Sequence, residues 1–237
     1  MADYQSPYLT RTAEQTALLD EGLRSHMLRV FNYMASGVLL SGIVAYVVAN
    51  TALAPIIFGT PLKWVVMLAP LAFIMVLSFG IHRLSFFSAQ ALYWVFCSLM
   101  GASLASILLV YTGASVARVF FITSAMFAGT SLYGYTTKAD LSKFGSFLMM
   151  GLIGIVIASL VNLFFASSAL QFAISVIGVL IFTGLTAYDT QRIKEEYYEG
   201  HDHETTSKMA LMGALSLYLN FVNLFSMLMS LLGNRDE

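Results

Sequence analysis

The chain has 237 residues, of which 58% are hydrophobic and only 11% charged, with a formal net charge of -1. Soluble domains carry about 25% charged residues, so the deficit marks a polytopic membrane protein. A balance this close to neutral gives no basic surface for nucleic acid, and a single cysteine, Cys97, excludes an intramolecular disulfide.

Residues 1–28 are polar, carry both signs of charge, and lack the short apolar core and cleavage site of a secretory signal. The first span is therefore expected to act as an uncleaved insertion signal. Thr12 to Arg29 reads either as a solvated tail or as an amphipathic helix with Ala17, Leu18 and Met27 on the membrane surface.

A hydrocarbon core of about 30 Å takes about 20 apolar helical residues. Seven segments meet that length or nearly so: Val30–Asn50, Leu62–Ile81, Ala89–Tyr111, Val116–Tyr135, Phe144–Phe165, Leu170–Tyr188 and Met209–Leu232. With the N-terminus inside, the cytoplasmic side receives Arg11, Arg24, Arg29, Arg83, Lys138, Lys143, Arg192, Lys194 and Lys208. Only Lys63, Arg118 and Arg235 fall outside, which satisfies the positive-inside rule. Seven spans place the C-terminus outside; a re-entrant last segment would return it to the cytoplasm.

Small residues at helix-packing spacing, Gly37 with Ser41, Ala125 with Gly129, and Ala210 with Ala214, predict close helix approach. Pro70 interrupts the second span. It either kinks the span and frees a carbonyl, as in a water-lined cavity, or simply kinks the helix for packing.

Polar groups inside apolar runs are the candidate functional residues. Asp189 closes the sixth span, where a carboxylate at bilayer depth costs about 2.5–3.5 kcal/mol. It either reaches water as the helix ends or acts as a partly buried, proton-responsive latch. Asn220 lies about 16 Å into the seventh span when counted from Met209, and Asn223 follows one turn later. Both read either as packing glue between helices or as lining of a polar pathway. His82 and Arg83 end the second span on the same side as Asp189. Arg83 is the expected counter-ion or a boundary marker, and His82 is an interfacial residue or a second polar lining group. The acidic stretch Glu195 to Glu204 contains His201-Asp202-His203 but lacks the EF-hand pattern and any second ligand cluster at zinc spacing. A solvated loop is the expected reading, and neither metal nor cofactor is expected. No HExxH, GxSxG or P-loop is present, so the chain does not read as an enzyme.

Three segments carry a resemblance: Gly129 to Leu141 (GTSLYGYTTKADL), Gly184 to Gln191 (GLTAYDTQ) and Leu215 to Phe225 (LSLYLNFVNLF). With them the chain resembles the Bax inhibitor-1 family, and its bacterial branch in particular. The resemblance implies an all-α membrane protein in which the last of seven helices is surrounded by the other six. Residues 1–28 would then be a cytoplasmic tail and residues 29–237 the seven-helix domain, in the bacterial inner (plasma) membrane. It further implies a pH-sensitive calcium leak. In the bacterial pattern two aspartates, one on each of the last two helices, share a proton and latch the pore, with an arginine from the second span beside them.

Asp189 matches the first aspartate and Arg83 the arginine, but Asn220 stands at the second carboxylate. Two neighbouring carboxylates cannot both stay ionised, and their shared proton becomes a switch. An aspartate–asparagine pair keeps the hydrogen bond and loses that like-charge coupling. The expected latch is therefore a modified one. Relatives are also thought to modulate a membrane-bound protease complex, with the N-terminal tail and the acidic loop as contact surfaces and no flux required.

Overall fold

The computed structural model describes residues 7–197 and 202–236, with side chains from residue 21 onward. Eight helices follow in chain order: α1 (Pro7–Ala49), α2 (Leu53–Phe58), α3 (Leu62–Gly80), α4 (Phe86–Val110), α5 (Gly113–Thr136), α6 (Ser142–Phe165), α7 (Ser168–Glu196) and α8 (His203–Leu232). All but the short α2 are long and apolar enough to cross a membrane, and they coincide with the seven expected spans. No strand forms among the described residues; Tyr111 and Arg235 pair as an isolated bridge.

The helical lengths exceed the apolar runs at one end. α1 passes without a break through the expected boundary near residue 28, and both His26 and Met27 are buried. Met27 therefore joins the bundle core rather than a membrane-surface face. The side chains of Ala17 and Leu18 lie outside the described set. α7 continues through Glu195 and Glu196, and Asp202 caps α8, so both ends of the expected acidic loop belong to the helices, and residues 198–201, His201 among them, lie outside the described residues.

α8 is a single helix of 30 residues, about 45 Å long, not a re-entrant turn. Half of its apolar window is buried, against 11% for α6, so α8 forms the axis of the bundle. It packs chiefly on α7, α1, α5 and α4, while α3 leans on α4 and α6 on α7. The expectation of six helices around the last one thus resolves into two shells. Four helices touch the axis closely and two stand outside them.

Van der Waals fit and buried polar pairs hold the inner shell together, because lipid offers no hydrophobic drive between helices. Ser41 of α1 donates to the Cys97 carbonyl of α4 at 2.7 Å, and its oxygen lies 2.6 Å from the Tyr218 hydroxyl of α8. Three helices are joined through one serine. Gly101 lets α4 approach the Ser41 backbone, and Gly134 does the same for α5 against Ala187 of α7; a Cβ at either would collide with backbone. Of the expected small-residue pairs, Ser41, Ala210 and Ala214 are buried, and Gly37 lies against Tyr93 and Cys97. Ala125 and Gly129 are exposed, with open space beside Gly129, so that pair makes no helix contact.

Pro70 sits inside α3, which continues as one helix around it. Proline has no N–H for the carbonyl four residues back, here Val66. Ser103 of α4 supplies the missing donor, its hydroxyl reaching Val66 O at 2.7 Å.

Candidate functional site

α7 and α8 run antiparallel in one register. Ser175 donates to Ser230 at 3.0 Å, Gly178 faces Met227, Asp189 meets Asn220, and Arg192 reaches Ser216 at 3.2 Å. The first two turns of α8 extend past this pairing and lie instead against α1 and α4. There Arg29 donates to Ser207 at 3.0 Å, and Glu204 accepts from the Phe86 amide at 3.3 Å.

Asp189 is 7% exposed and Asn220 5%. The Asn220 amide donates to Asp189 Oδ2 at 2.7 Å. The other carboxylate oxygen, Oδ1, pairs with Arg192 Nη2 at 3.0 Å, one helical turn further along α7. Each oxygen thus has a donor, one neutral and one charged. Arg192 in turn stacks over the Tyr188 ring at 5.8 Å and lies 3.5 Å from Glu196, a loose ion pair rather than a hydrogen bond.

The end of α7 is also tied to α5 and its following loop. Gln191 donates to Ala139 O and accepts from the Leu141 amide, both at 2.8 Å, while Lys194 donates to Tyr135 O at 2.8 Å. The three sequence segments that carried the family resemblance therefore converge at one end of the molecule. Gly134 meets Ala187, Gln191 holds Ala139 and Leu141, and Asp189 holds Asn220.

The other sequence candidates lie elsewhere. Arg83 and His82 are exposed in the turn after α3, and among the described residues Arg83 makes no ion pair with Asp189. Arg192 takes the place expected for it. The three-residue spacing from Asp189 to Arg192 puts both on one helix face, a signal present in the sequence. Asn223 is half-buried and turns back to its own helix, donating to Leu219 O at 2.8 Å. Among the described residues, no three His, Cys, Asp or Glu side chains come together in a way that could hold a metal.

Chemically, the pair is one buried acceptor held between an amide and a guanidinium. An amide neither gains nor releases a proton in the physiological range, so Asp189 is the only carboxyl group of the pair. Seven apolar helices around a polar interhelical contact define a multi-pass α-helical membrane protein.

The family model described as inhibitor of apoptosis-promoting Bax1 matches residues 23–237. An uncharacterized protein of Rickettsia prowazekii is 47% identical over the full length of both chains. An uncharacterized protein of Caulobacter vibrioides is 49% identical, covering 92% of each chain. The inner membrane protein YbhL of Escherichia coli K12 is 45% identical over 90% of this chain and 93% of its own. The chain belongs to the Bax inhibitor-1 family. It is a multi-pass protein of the inner membrane, and neither the family description nor these relatives' names indicate an enzyme.

Proposed function

We propose that the chain provides a regulated calcium leak across the inner membrane, with the α7–α8 contact at Asp189 and Asn220 as its closing latch. The observation that carries this reading is the 2.7 Å hydrogen bond between those two buried side chains, next to the Arg192 ion pair. The family resemblance implies the transport class. The concentration of Arg and Lys at the Asp189 end supports placing that end in the cytoplasm. Asp189 is retained where the family resemblance implies half of a carboxylate pair, and Asn220 closes the latch without a second acid. Opening requires the amide to leave the carboxylate, and protonation has no shared-proton pair on which to act. The leak is therefore flatter in pH than a two-aspartate latch.

Calcium flux into proteoliposomes from about pH 6 to about pH 8 tests this. A single-proton switch changes an open fraction by at most about tenfold per pH unit. The native protein is expected to vary by less than about twofold over the range, and Asn220→Asp to gain a slope that approaches the single-proton limit. Equal slopes for the two proteins would remove the basis for the latch. Asp189→Ala is expected to change the flux and to leave any co-purifying membrane protease unaffected. The reverse result would favour a non-conducting modulator of such a complex.

A further inference from the structure

At the end of the molecule where α1 begins, α1, α4 and α8 enclose a recess of about 800 Å³. α1 presents Arg24, Arg29 and Asn32 to it, α4 presents Trp94, and α8 presents His203 and Ser207. The α1 residues fall at helical spacing on one face, so the recess follows α1 from Glu21 to Ser36, out of the polar stretch and into the apolar run that begins at Val30. Among the described residues, Glu21 is the one acidic side chain in the lining, set against two arginines.

Three features separate this recess from the ordinary scatter of positive charge at a membrane edge. Arg29 is half-buried, and one of its N–H groups is committed to Ser207 Oγ at 3.0 Å. That bond orients a guanidinium fork that carries five donors in all. The arginines face a concavity, where a ligand can meet both of them together with the serine and the asparagine. The adjoining wall is apolar: Leu28 is 53% exposed, and the half-buried Trp94 lines the recess beside it, an amphipathic ring of the kind that anchors at a bilayer interface. A phosphate group at the level of Arg24 and Arg29, continuous with an apolar body along Leu28 and Trp94, satisfies both surfaces. Basic pockets between membrane helices suit anionic lipid headgroups in this way.

We propose that this recess is a binding site for the phosphate headgroup of an anionic phospholipid, with Arg24 and Arg29 as its cationic ligands and Ser207 fixing Arg29 in place. The site is separate from the Asp189 latch, and its test does not depend on calcium flux.

The chain has two tryptophans, Trp64 and Trp94. Trp64→Phe leaves Trp94 as a single reporter inside the recess. Its fluorescence is measured in phosphatidylcholine bilayers containing brominated phosphatidylglycerol, and in matched bilayers in which the brominated lipid is phosphatidylcholine. Stronger quenching by phosphatidylglycerol is expected at equal mole fraction. The preference should fall roughly fivefold for each arginine removed, in Arg24→Gln and in Arg24→Gln with Arg29→Gln. Arg29→Lys, which keeps the charge, should retain most of it. Lys143→Gln removes an exposed charge at the same end of the molecule and should leave it unchanged. Equal quenching by the two lipids, or an equal loss in Lys143→Gln, would overturn the site. Excess inorganic phosphate, against chloride of matched ionic strength, should not relieve the quenching. Full relief would assign the recess to free phosphate and overturn the lipid reading. Far-UV circular dichroism and gel filtration show that the double variant is folded. Should it prove unfolded, Arg24→Gln alone decides, since Arg24 is exposed.

Discussion

At Asp202 the side chain accepts from the Thr205 hydroxyl at 2.6 Å and from the Thr205 amide at 3.1 Å, closing the N-terminus of α8. Those two donors, the hydroxyl foremost, hold its carboxyl below the usual carboxylate range. With the folded value depressed, the cap contributes stability above the unfolded value near pH 4 and loses it as pH falls through the folded one. The protection of the Thr205 and Thr206 amides against exchange, taken relative to the intrinsic rate at each pH, should therefore fall on acidification in the native protein. It should be lower at every pH in Asp202→Ala, and should lose its acid dependence in Asp202→Asn, which still offers an oxygen to the amide. A native profile without acid dependence would show that the cap does not depend on charge. The same scale explains what the sequence left open at Asp189. Its carboxylate was visible as an expensive group near a span end, but Arg83 was the expected counter-ion, and that expectation depended on where the turn after α3 goes. That turn carries Arg83 into solvent, whereas the i, i+3 partner on the same helix needs no tertiary information.

Among the elements, α3 shows how a proline inside a span is accommodated. Ser103 donates to the one carbonyl that Pro70 leaves without a helical partner. Removing that hydroxyl strands a carbonyl of a buried residue in an apolar setting, at a cost of about 1–2 kcal/mol. Ser103→Ala should lower the unfolding free energy in mild detergent by that amount, and Ser103→Thr should restore most of it. A neutral Ser103→Ala would mean that α3 relaxes to satisfy Val66 by itself. Elements were the part of the structure most legible from sequence, because a span announces itself by length and apolarity alone. The short α2 between the first two spans escaped, since six residues carry no periodicity to recognise. Ala125 and Gly129 misled for a related reason: small-residue spacing says that a close approach is allowed, not which face of α5 turns inward. α5 turns Gly134 inward instead.

For the whole molecule, the single cysteine offers a direct measure of integrity. Cys97 is fully buried where α1 meets α4, beside Tyr93 and near the Ser41–Tyr218 contact. Its thiol should resist a thiol-reactive dye in the native bundle and react with the same thermal midpoint as the loss of helical ellipticity. Labelling well ahead of that loss would show that α1 and α4 part before the bundle unfolds. The two-shell arrangement itself was not legible in the chain. Hydropathy ranks α6 and α3 as the most apolar spans, and in a membrane those are the ones left facing lipid. The axis is the helix that carries Tyr218, Asn220 and Ser216, whose polar groups need protein partners.

The shared register of α7 and α8 has a mechanical consequence. Their contact is pinned by Ser175 with Ser230 toward one end and by Asp189 with Asn220 toward the other, about 21 Å apart along α7. Sliding one helix past the other by a full turn of about 5.4 Å would break both pins together. A tilt of α7 about the serine pair would spare that pin and break only the α7–α8 bonds at the far end, the carboxylate–amide bond and that of Arg192 with Ser216. The two helices therefore behave as a lever with its fulcrum at Ser175, and the least costly displacement widens the bundle at the basic end alone.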